Sequence, residues 1–297
     1  MWNFIADWLF AGVFKAILDA DGQGKGNPKF EDIDVVDDYP QPQNKQDFWC
    51  AKGDAAAWTL PVSADRAKHR RQMIMCPSFW KFGTFKGGAH REWPNVPTRK
   101  CSNIAYRVSR NMETLGEVLL HEYMHIDELV QPPLTGTVGD LEYNFYDCRE
   151  LALTQPGKTK YNADSYAKFA TELTWSTMCD RDFKEPFEGN GLDGNAKRQT
   201  PRDEIQLATS LQKRTAFSQP YEHPIPMTEH NTYTVEQMDQ YLEAHIDALH
   251  MCSVIIEQAE RNTDRFNRIF PLYFKPDDRE IVVGKFLLRQ ERNVQTG

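Results

Sequence analysis

Hydrophobic residues recur at helical spacing in two parts of the chain. In the first part, Leu115, Val118 and Leu119 form an apolar stripe, and Thr114 with Glu117 offers a capping box at its start. A helix is therefore predicted to begin after Thr114. In the second part, apolar side chains three or four residues apart predict one long amphipathic helix. Its stripe consists of Val235, Met238, Leu242, Ile246, Leu249, Cys252, Ile256 and Ala259.

The first residues of the chain are also apolar, and they predict a helix within an appendage that covers residues 1–46. This stretch lacks a basic region and contains Asp7 and Lys15, which makes it a poor signal peptide. We favour a helix that docks on the body of the protein, and a helix that binds a membrane surface or a partner is the alternative. The docking residues would be Trp2, Ile5, Leu9 and Phe14.

Composition narrows the class of protein. The 297 residues are 40% hydrophobic and 12% aromatic, enough to bury a substantial core as one domain or as two packed lobes. A net charge of −8 and the lack of a long basic run argue against a nucleic-acid partner. No stretch of about 20 uncharged apolar residues occurs, so no transmembrane segment is predicted.

The run His121-Glu122-Tyr123-Met124-His125 falls on the C-terminal half of the first predicted helix. Side chains four residues apart lie on one helix face, so both imidazoles can reach a single metal ion. Zinc held by two imidazoles and a third ligand lowers the pKa of its bound water, and Glu122 could accept that water's proton. A chance His-Glu-x-x-His string on an amphipathic helix is the alternative, and the motif alone does not decide between them.

A third ligand has to come from further along the chain. Gln131 excludes the extended motif that has a third histidine six residues after the second. The sequence instead runs Gly136-Thr137-Val138-Gly139-Asp140-Leu141-Glu142-Tyr143. Together with the histidine motif, this run resembles the aspzincin metallopeptidases, the deuterolysin and peptidyl-lysine metalloendopeptidase group, whose pattern is Gly-Thr-x-x-Asp-x-x-Tyr.

The resemblance implies that Asp140 is the third zinc ligand and that the Tyr143 hydroxyl donates to the developing oxyanion. The alternative is a solvated acid in a turn and an aromatic residue of the core. Other candidates remain nearby: Glu142, Asp147 and Glu150 as ligands, and Tyr146 as the donor. Asn144 stands where the family usually has glycine.

A third block is similar to the family segment that lines the pocket for the substrate residue after the scissile bond. It consists of Asn162-Ala163-Asp164-Ser165-Tyr166. The resemblance implies that Asp164 faces a basic substrate side chain. Ala167 stands where the lysine-specific members have a second acid, so only a weak preference for Lys or Arg is expected. The alternative is that Asp164 caps the N-terminus of a helix.

The cysteines form an even, widely spaced set without a Cys-x-x-Cys pair: Cys50, Cys76, Cys101, Cys148, Cys179 and Cys252. This spacing suits disulfides better than a zinc ribbon, and buried free thiols are the alternative. The resemblance implies a bridge between Cys101 and Cys179, and with it secretion.

The order of the predicted elements departs from the family. Its first helices have no counterpart before Asp47 and are instead similar to the long helix over residues 235–259 and the segment after it. We therefore hypothesise a circularly permuted aspzincin, in which Cys50 bridges to Cys252 and Cys76 bridges to Cys148. A separate C-terminal helical module is the alternative.

These observations predict an α+β fold: a mostly helical, zincin-like domain with a small sheet beside the helix that carries residues 121–125. The predicted parts are the appendage, a catalytic core over residues 47–179, a polar linker over 180–232 and C-terminal helices over 233–297. The expected function is a zinc-dependent endopeptidase that binds one zinc ion and acts on protein or peptide substrates. A zincin scaffold that acts on a small peptide-like molecule and a module that holds zinc without turnover are the alternatives.

Overall fold

The computed structural model describes residues 3–18, 27–37, 50, 55–59, 71–76, 78–81, 101, 104, 106–187 and 235–274. Its helices are α1 (Asn3–Leu18), α2 (Leu115–Met124), α3 (Asp127–Val130), α4 (Phe145–Thr154), α5 (Pro156–Thr159), α6 (Ala163–Met178), α7 (Val235–Glu260) and α8 (Asp264–Tyr273). Its strands are β1 (Ile33–Asp37), β2 (Ala57–Thr59) and β3 (Arg71–Met75). The predicted α+β class is confirmed. None of the described helices is long and apolar enough to cross a bilayer.

Helix α2 lies at the centre of the molecule. Thr114 is its N-cap, and the hydroxyl of Thr114 accepts a hydrogen bond from the Glu117 backbone N–H at 3.2 Å. Every residue of α2 is buried except Val118, which is partly buried. A helix that is buried on all sides must be surrounded by other elements, and α2 contacts α6, α7, β2, α3 and the short 3-10 helix Phe79–Lys81.

The long helix α7 covers one side of α2, and its bounds match the predicted stripe. The two helices are in close contact at Gly116. A Cβ atom at this position would lie 2.6 Å from the Asp247 Cβ and 2.9 Å from the Ala248 backbone nitrogen. The residue at 116 must therefore lack a side chain for α2 and α7 to pack at this distance.

Helix α1 packs on α7 and is part of the same core. Val13, Phe14 and Ile17 are fully buried, so the predicted docking through Phe14 is confirmed. The ring of Phe14 packs edge-on against Tyr166 of α6 with centroids 6.1 Å apart. The other predicted docking residues, Trp2, Ile5 and Leu9, lie outside the residues whose side chains the structure describes.

The sheet has the strand order β1-β3-β2. Strand β1 is parallel to β3, with Ile33 opposite Arg71, and β2 is antiparallel to β3, with Ala57 opposite Met75. The sheet lies beside α2 through its edge strand β2, as predicted. Strand β1 lies within the first 46 residues and forms one edge of this sheet. Residues 188–234 and 275–297, which include most of the predicted linker, lie outside the described residues.

Two disulfides join Cys101 to Cys179 and Cys50 to Cys76. The first matches the bridge implied by the family resemblance. The predicted pairs Cys50–Cys252 and Cys76–Cys148 are wrong, because Cys148 and Cys252 are buried free thiols.

These two bridges do not form because both predicted partners, Cys50 and Cys76, are bonded to each other. Cys252 is fully buried in the helical core on α7, where burial raises the pKa of its thiol. Cys148 accepts a hydrogen bond from the Asn162 side-chain amide at 3.5 Å. The permuted arrangement required the Cys50–Cys252 bridge, so its absence counts against that hypothesis.

We predict that Gly116→Ala lowers the free energy of unfolding by about 1–3 kcal/mol, because overpacking a tight helix crossing outweighs the gain in helix propensity. Gly157→Ala in α5 is the matched control, since a Cβ there would meet nothing within 4 Å. Denaturant unfolding of both variants measures the difference. Equal stability of Gly116→Ala and wild type would contradict the close crossing.

We also predict that peptide mapping without reduction recovers Cys50 linked to Cys76 and Cys101 linked to Cys179. Thiol titration should find two free thiols after unfolding and almost none before it, because both are buried. Recovery of Cys50 linked to Cys252 would overturn this connectivity and restore the support for permutation.

Candidate metal centre

The two histidines of the motif lie one helical turn apart at the end of α2. His121 is within the helix, and His125 is its C-cap with φ −79° and ψ −7°, so the backbone stays helical as far as the second imidazole. The two Nε2 atoms are 3.2 Å apart. The helix therefore directs both Nε2 atoms to one point, as the spacing predicts.

Asp140 completes the group. Its Oδ1 atom lies 3.0 Å from the His121 Nε2 and 3.2 Å from the His125 Nε2. Ligands bound tetrahedrally at about 2.0–2.1 Å from zinc would be separated by about 3.3–3.4 Å, close to this triangle. Within the part of the chain that the structure describes, this is the one His/Cys/Asp/Glu group that could hold a metal ion. The alternative ligands Glu142, Asp147 and Glu150 do not belong to it.

The electrostatic environment favours a cation at this point. Burial lowers the pKa of His121, but Asp140 and Asp164 reverse that effect and raise it well above the usual range. The pKa of His125 is also raised, because Asp140 outweighs the effect of burial. Burial raises the pKa of Asp140, but the two imidazoles hold it well below its ordinary value. Two imidazoles with one carboxylate are a ligand set that suits zinc, and they also suit other divalent transition metals.

The second nitrogen of each imidazole is hydrogen-bonded on the side away from Asp140. The His121 Nδ1 lies 2.6 Å from the Asp164 Oδ1, and the His125 Nδ1 lies 3.0 Å from the Val138 carbonyl oxygen. Acceptors at both Nδ1 atoms place the proton there and leave the Nε2 lone pairs for a metal. The structure therefore fixes the direction of each imidazole and favours the tautomer that carries its proton on Nδ1 when Nε2 binds a metal.

Glu122 is buried beside the ligands and contacts the sheet. Its carboxylate Oε2 lies 3.0 Å from the Thr59 hydroxyl, which is also 3.2 Å from the Glu122 backbone carbonyl. The negative charge of Glu122 contributes to the raised pKa of His125, after the larger effects of burial and Asp140. Thr59 carries no sequence signal for this role, because it is separated from the motif by more than 60 residues.

Tyr143 lies next to the first imidazole. Its ring is nearly parallel to that of His121, at an interplanar angle of 24° and with centroids 6.2 Å apart, and 6% of the residue is exposed. The structure thus brings the predicted donor into the group of His121, Glu122, His125 and Asp140. Tyr146, the alternative donor, is a partly buried residue of α4.

Asp164 contacts the metal-binding group, and both oxygens of its carboxylate have partners within the protein. Its Oδ1 atom meets His121, and its Oδ2 atom accepts the Asn144 backbone N–H at 3.1 Å. It is not at the N-cap position of α6, because the helix begins at Ala163 and Asn162 occupies that position, without a side-chain capping bond. The substrate contact that the resemblance implies stays a prediction.

Asn144 holds a backbone conformation that glycine would adopt without strain. Its φ of 61° and ψ of 167° lie in a region that side chains strongly disfavour. Its side chain offsets part of this cost, because its Oδ1 accepts the Asp147 N–H at 3.0 Å and caps α4. A positive φ is thus held by an asparagine whose side chain caps α4 and whose N–H donates to Asp164.

No protein-family model, curated protein or solved structure matches this chain. The resemblance to the aspzincins therefore depends on the three short sequence blocks, and the geometry above is independent of it.

We predict that Asn144→Ala lowers the free energy of unfolding by about 1–2 kcal/mol, because it removes the cap of α4 and keeps the strained φ. Asn144→Gly loses the same cap but relieves the strain. Its free energy of unfolding should therefore be about 1 kcal/mol higher than that of Asn144→Ala. Denaturant unfolding at one pH compares the two variants. An alanine variant at least as stable as the glycine variant would contradict the backbone conformation at residue 144.

Proposed function

We propose that this protein is a zinc-dependent endopeptidase of the aspzincin type. The observation that carries the proposal is the convergence of His121, His125 and Asp140 at one point, with Glu122 beside them. A catalytic zinc site uses three protein ligands of this kind and keeps a further position for water or substrate. Zinc itself is part of the proposal, since the ligand set suits several metals.

The residues around the group have the chemistry that peptide hydrolysis requires. Bound zinc supplies Lewis acidity and a water of lowered pKa. With zinc bound by His121, His125 and Asp140, Glu122 would be the group that holds the proton of the attacking water and returns it to the leaving amine; the Thr59 hydroxyl donates to one carboxylate oxygen of Glu122 and orients it for this role. The Tyr143 hydroxyl donates to the oxyanion that develops on the scissile carbonyl.

The proposal includes an extracellular location and a protein or peptide substrate. Two disulfides in the described residues are consistent with an oxidising compartment. The family resemblance adds a weak preference for Lys or Arg after the scissile bond, with Asp164 as its source. The contacts of Asp164 with His121 and Asn144 weaken that part of the proposal.

A small peptide-like substrate is the second candidate. The segment between His125 and Asp140 contains helix α3 and packs against α1, where a Cβ at Gly12 would lie 3.2 Å from the Pro133 Cγ. The segment links the second histidine to Asp140, and in this second candidate it reshapes the cleft for a small substrate. Digestion of casein separates the two candidates, because only an endopeptidase degrades it.

We predict that Glu122→Gln keeps its zinc and loses peptidase activity by a factor of at least about 100, because the amide cannot accept the proton of the attacking water. Metal analysis and casein digestion measure the two properties separately. Glu150→Gln is the control, and it should retain both. A Glu122→Gln variant that remains active would remove Glu122 from the mechanism.

We predict that Asp140→Ala loses both zinc and activity, because two imidazoles alone hold the ion weakly. If Asp140→Ala keeps its zinc and its activity, Asp140 is not the third ligand.

Activity of the wild type on a mixed peptide library should vanish with a chelator and return with added zinc. Sequencing the products also shows which residues follow the cut.

A further inference from the structure

The N-terminus of α6 contacts the metal-binding group through two polar side chains, two residues apart. Asn162 contacts the loop that carries Asp140, and Asp164 contacts His121. Both residues are buried, with 0% and 6% of their surfaces exposed. The first turn of α6 therefore contacts one ligand, His121, directly and the backbone beside a second ligand, Asp140.

The Asn162 side chain forms hydrogen bonds to the backbone of the loop that carries Asp140. Its Oδ1 atom accepts the backbone N–H groups of Leu141 at 2.9 Å and Glu142 at 3.0 Å. Its Nδ2 atom donates to the Ser165 hydroxyl at 3.0 Å. Two backbone donors on one side of the amide and an acceptor on the other permit only one orientation of that amide.

The backbone on either side of Asn162 holds the same loop. The Gly139 N–H donates to the Tyr161 carbonyl at 2.9 Å, and the Ala163 N–H donates to the Gly139 carbonyl at 2.9 Å. Asp140 is thus fixed on both sides, by backbone bonds at residue 139 and by the Asn162 side chain at residues 141 and 142. A carboxylate on an exposed loop becomes a ligand with a defined position.

Asp164 acts on the first imidazole. A carboxylate 2.6 Å from the His121 Nδ1 fixes the proton on that nitrogen and sets the orientation of the ring, so that the Nε2 lone pair faces Asp140 and His125. The second oxygen of Asp164 accepts the Asn144 N–H, which belongs to the residue after Tyr143. The same carboxylate therefore links the ligand helix to the chain beside the predicted oxyanion donor.

Lys168, one turn further along α6, supplies a positive charge behind Asp164. Its Nζ atom lies 3.9 Å from the Asp164 Oδ2 and 2.9 Å from the Glu113 Oε1, and it also pairs with Glu117. Lys168 is 5% exposed. A buried carboxylate needs hydrogen bonds or a counter-charge to remain ionised, and Asp164 has both.

We propose that Asn162 and Asp164 are positioning residues of the metal centre, and that Asp164 orients His121 instead of recognising a basic substrate side chain. The proposal rests on the proposed function only for the metal: it requires that His121, His125 and Asp140 bind zinc, and it does not require peptide cleavage. An acid that is 6% exposed and already bonded to an imidazole and a backbone N–H offers little surface to a substrate.

The test measures zinc affinity of the full chain by competition with a chromogenic chelator. Asp164→Asn keeps the shape of the side chain, but its amide can accept from only one of the two donors, His121 and Asn144. We expect zinc affinity to fall about 10–100-fold, as for other residues that orient a metal-bound histidine. Asn162→Ala should also weaken zinc binding, because it releases the loop of Asp140.

Glu172→Gln is the matched control. Glu172 is a buried acid of the same helix, but it pairs with Arg149 and Tyr273, away from the ligands. This variant should be less stable than wild type and should keep wild-type zinc affinity. A loss of zinc affinity in the control equal to that in Asp164→Asn would mean that the effect reports general destabilisation, and it would overturn the proposal.

The two possible roles of Asp164 give opposite results. A positioning residue loses zinc affinity on change to Asn and keeps the pattern of residues after the cut. A specificity acid keeps zinc affinity within twofold and loses any preference for Lys or Arg, which would overturn the proposal. Wild type that binds zinc but cuts no peptide would refute the peptidase and leave the positioning role intact. Wild type that binds no zinc would refute both.

A measurement on wild type keeps the proposal falsifiable if Asp164→Asn does not fold. The ¹⁵N resonances of the zinc-loaded protein report which nitrogen of each histidine carries the proton. We expect His121 to be protonated at Nδ1 and metal-bound at Nε2. A His121 proton at Nε2 would overturn the role of Asp164.

Discussion

The polar side chains of the buried helix α2 determine how the elements around it are arranged. A buried polar group without a partner costs free energy, so each one requires a contact from a neighbouring element. Glu117 pairs with Lys168 of α6, His121 with Asp164 of α6, and Glu122 with Thr59 of β2. Tyr123 bonds to His245 of α7, with 2.7 Å between its hydroxyl and the imidazole Nδ1. Helices α6 and α7 and strand β2 thus each satisfy at least one polar group of α2.

This arrangement combines a structural requirement with a chemical one. The contact at the His121 Nδ1 satisfies a buried nitrogen, and it also directs the opposite nitrogen to the metal position. The hydrogen bond from Thr59 likewise satisfies the buried Glu122 carboxylate and orients it as the proposed general base. A site whose ligands are held by surrounding elements before the metal arrives loses little conformational entropy on binding. The fold and the site are therefore parts of the same set of contacts.

Features set by local sequence were predictable. The capping by Thr114, the long stripe of α7 and the spacing of His121 and His125 each depend on residues within a few turns of one another. Asp140 was expected as a ligand only because of the family resemblance, and its position beside both imidazoles depends on contacts with residues 161–163. The capping box was only half right, because the Glu117 carboxylate pairs with Lys168 and Thr171 rather than with the N-terminus of α2.

Features set by long-range contacts were not predictable. The pairing of β1 with β3, the partners of Cys50 and Cys76, and the contact of Asp164 with His121 join residues far apart in sequence. The pattern around Asp164 is equally compatible with a pocket acid and a helix cap, because an acid near a helix N-terminus suits both. Only the packing of α6 on α2 shows that it faces an imidazole.

X-ray absorption spectroscopy of the zinc-loaded protein tests the central claim most directly, because it reports the atoms bound to the ion. Two imidazoles and one carboxylate predict a first shell of only nitrogen and oxygen at about 2.0–2.1 Å, with outer-shell scattering from two imidazole rings. A sulfur ligand at about 2.3 Å, or scattering from any other number of imidazoles, would contradict the centre formed by His121, His125 and Asp140.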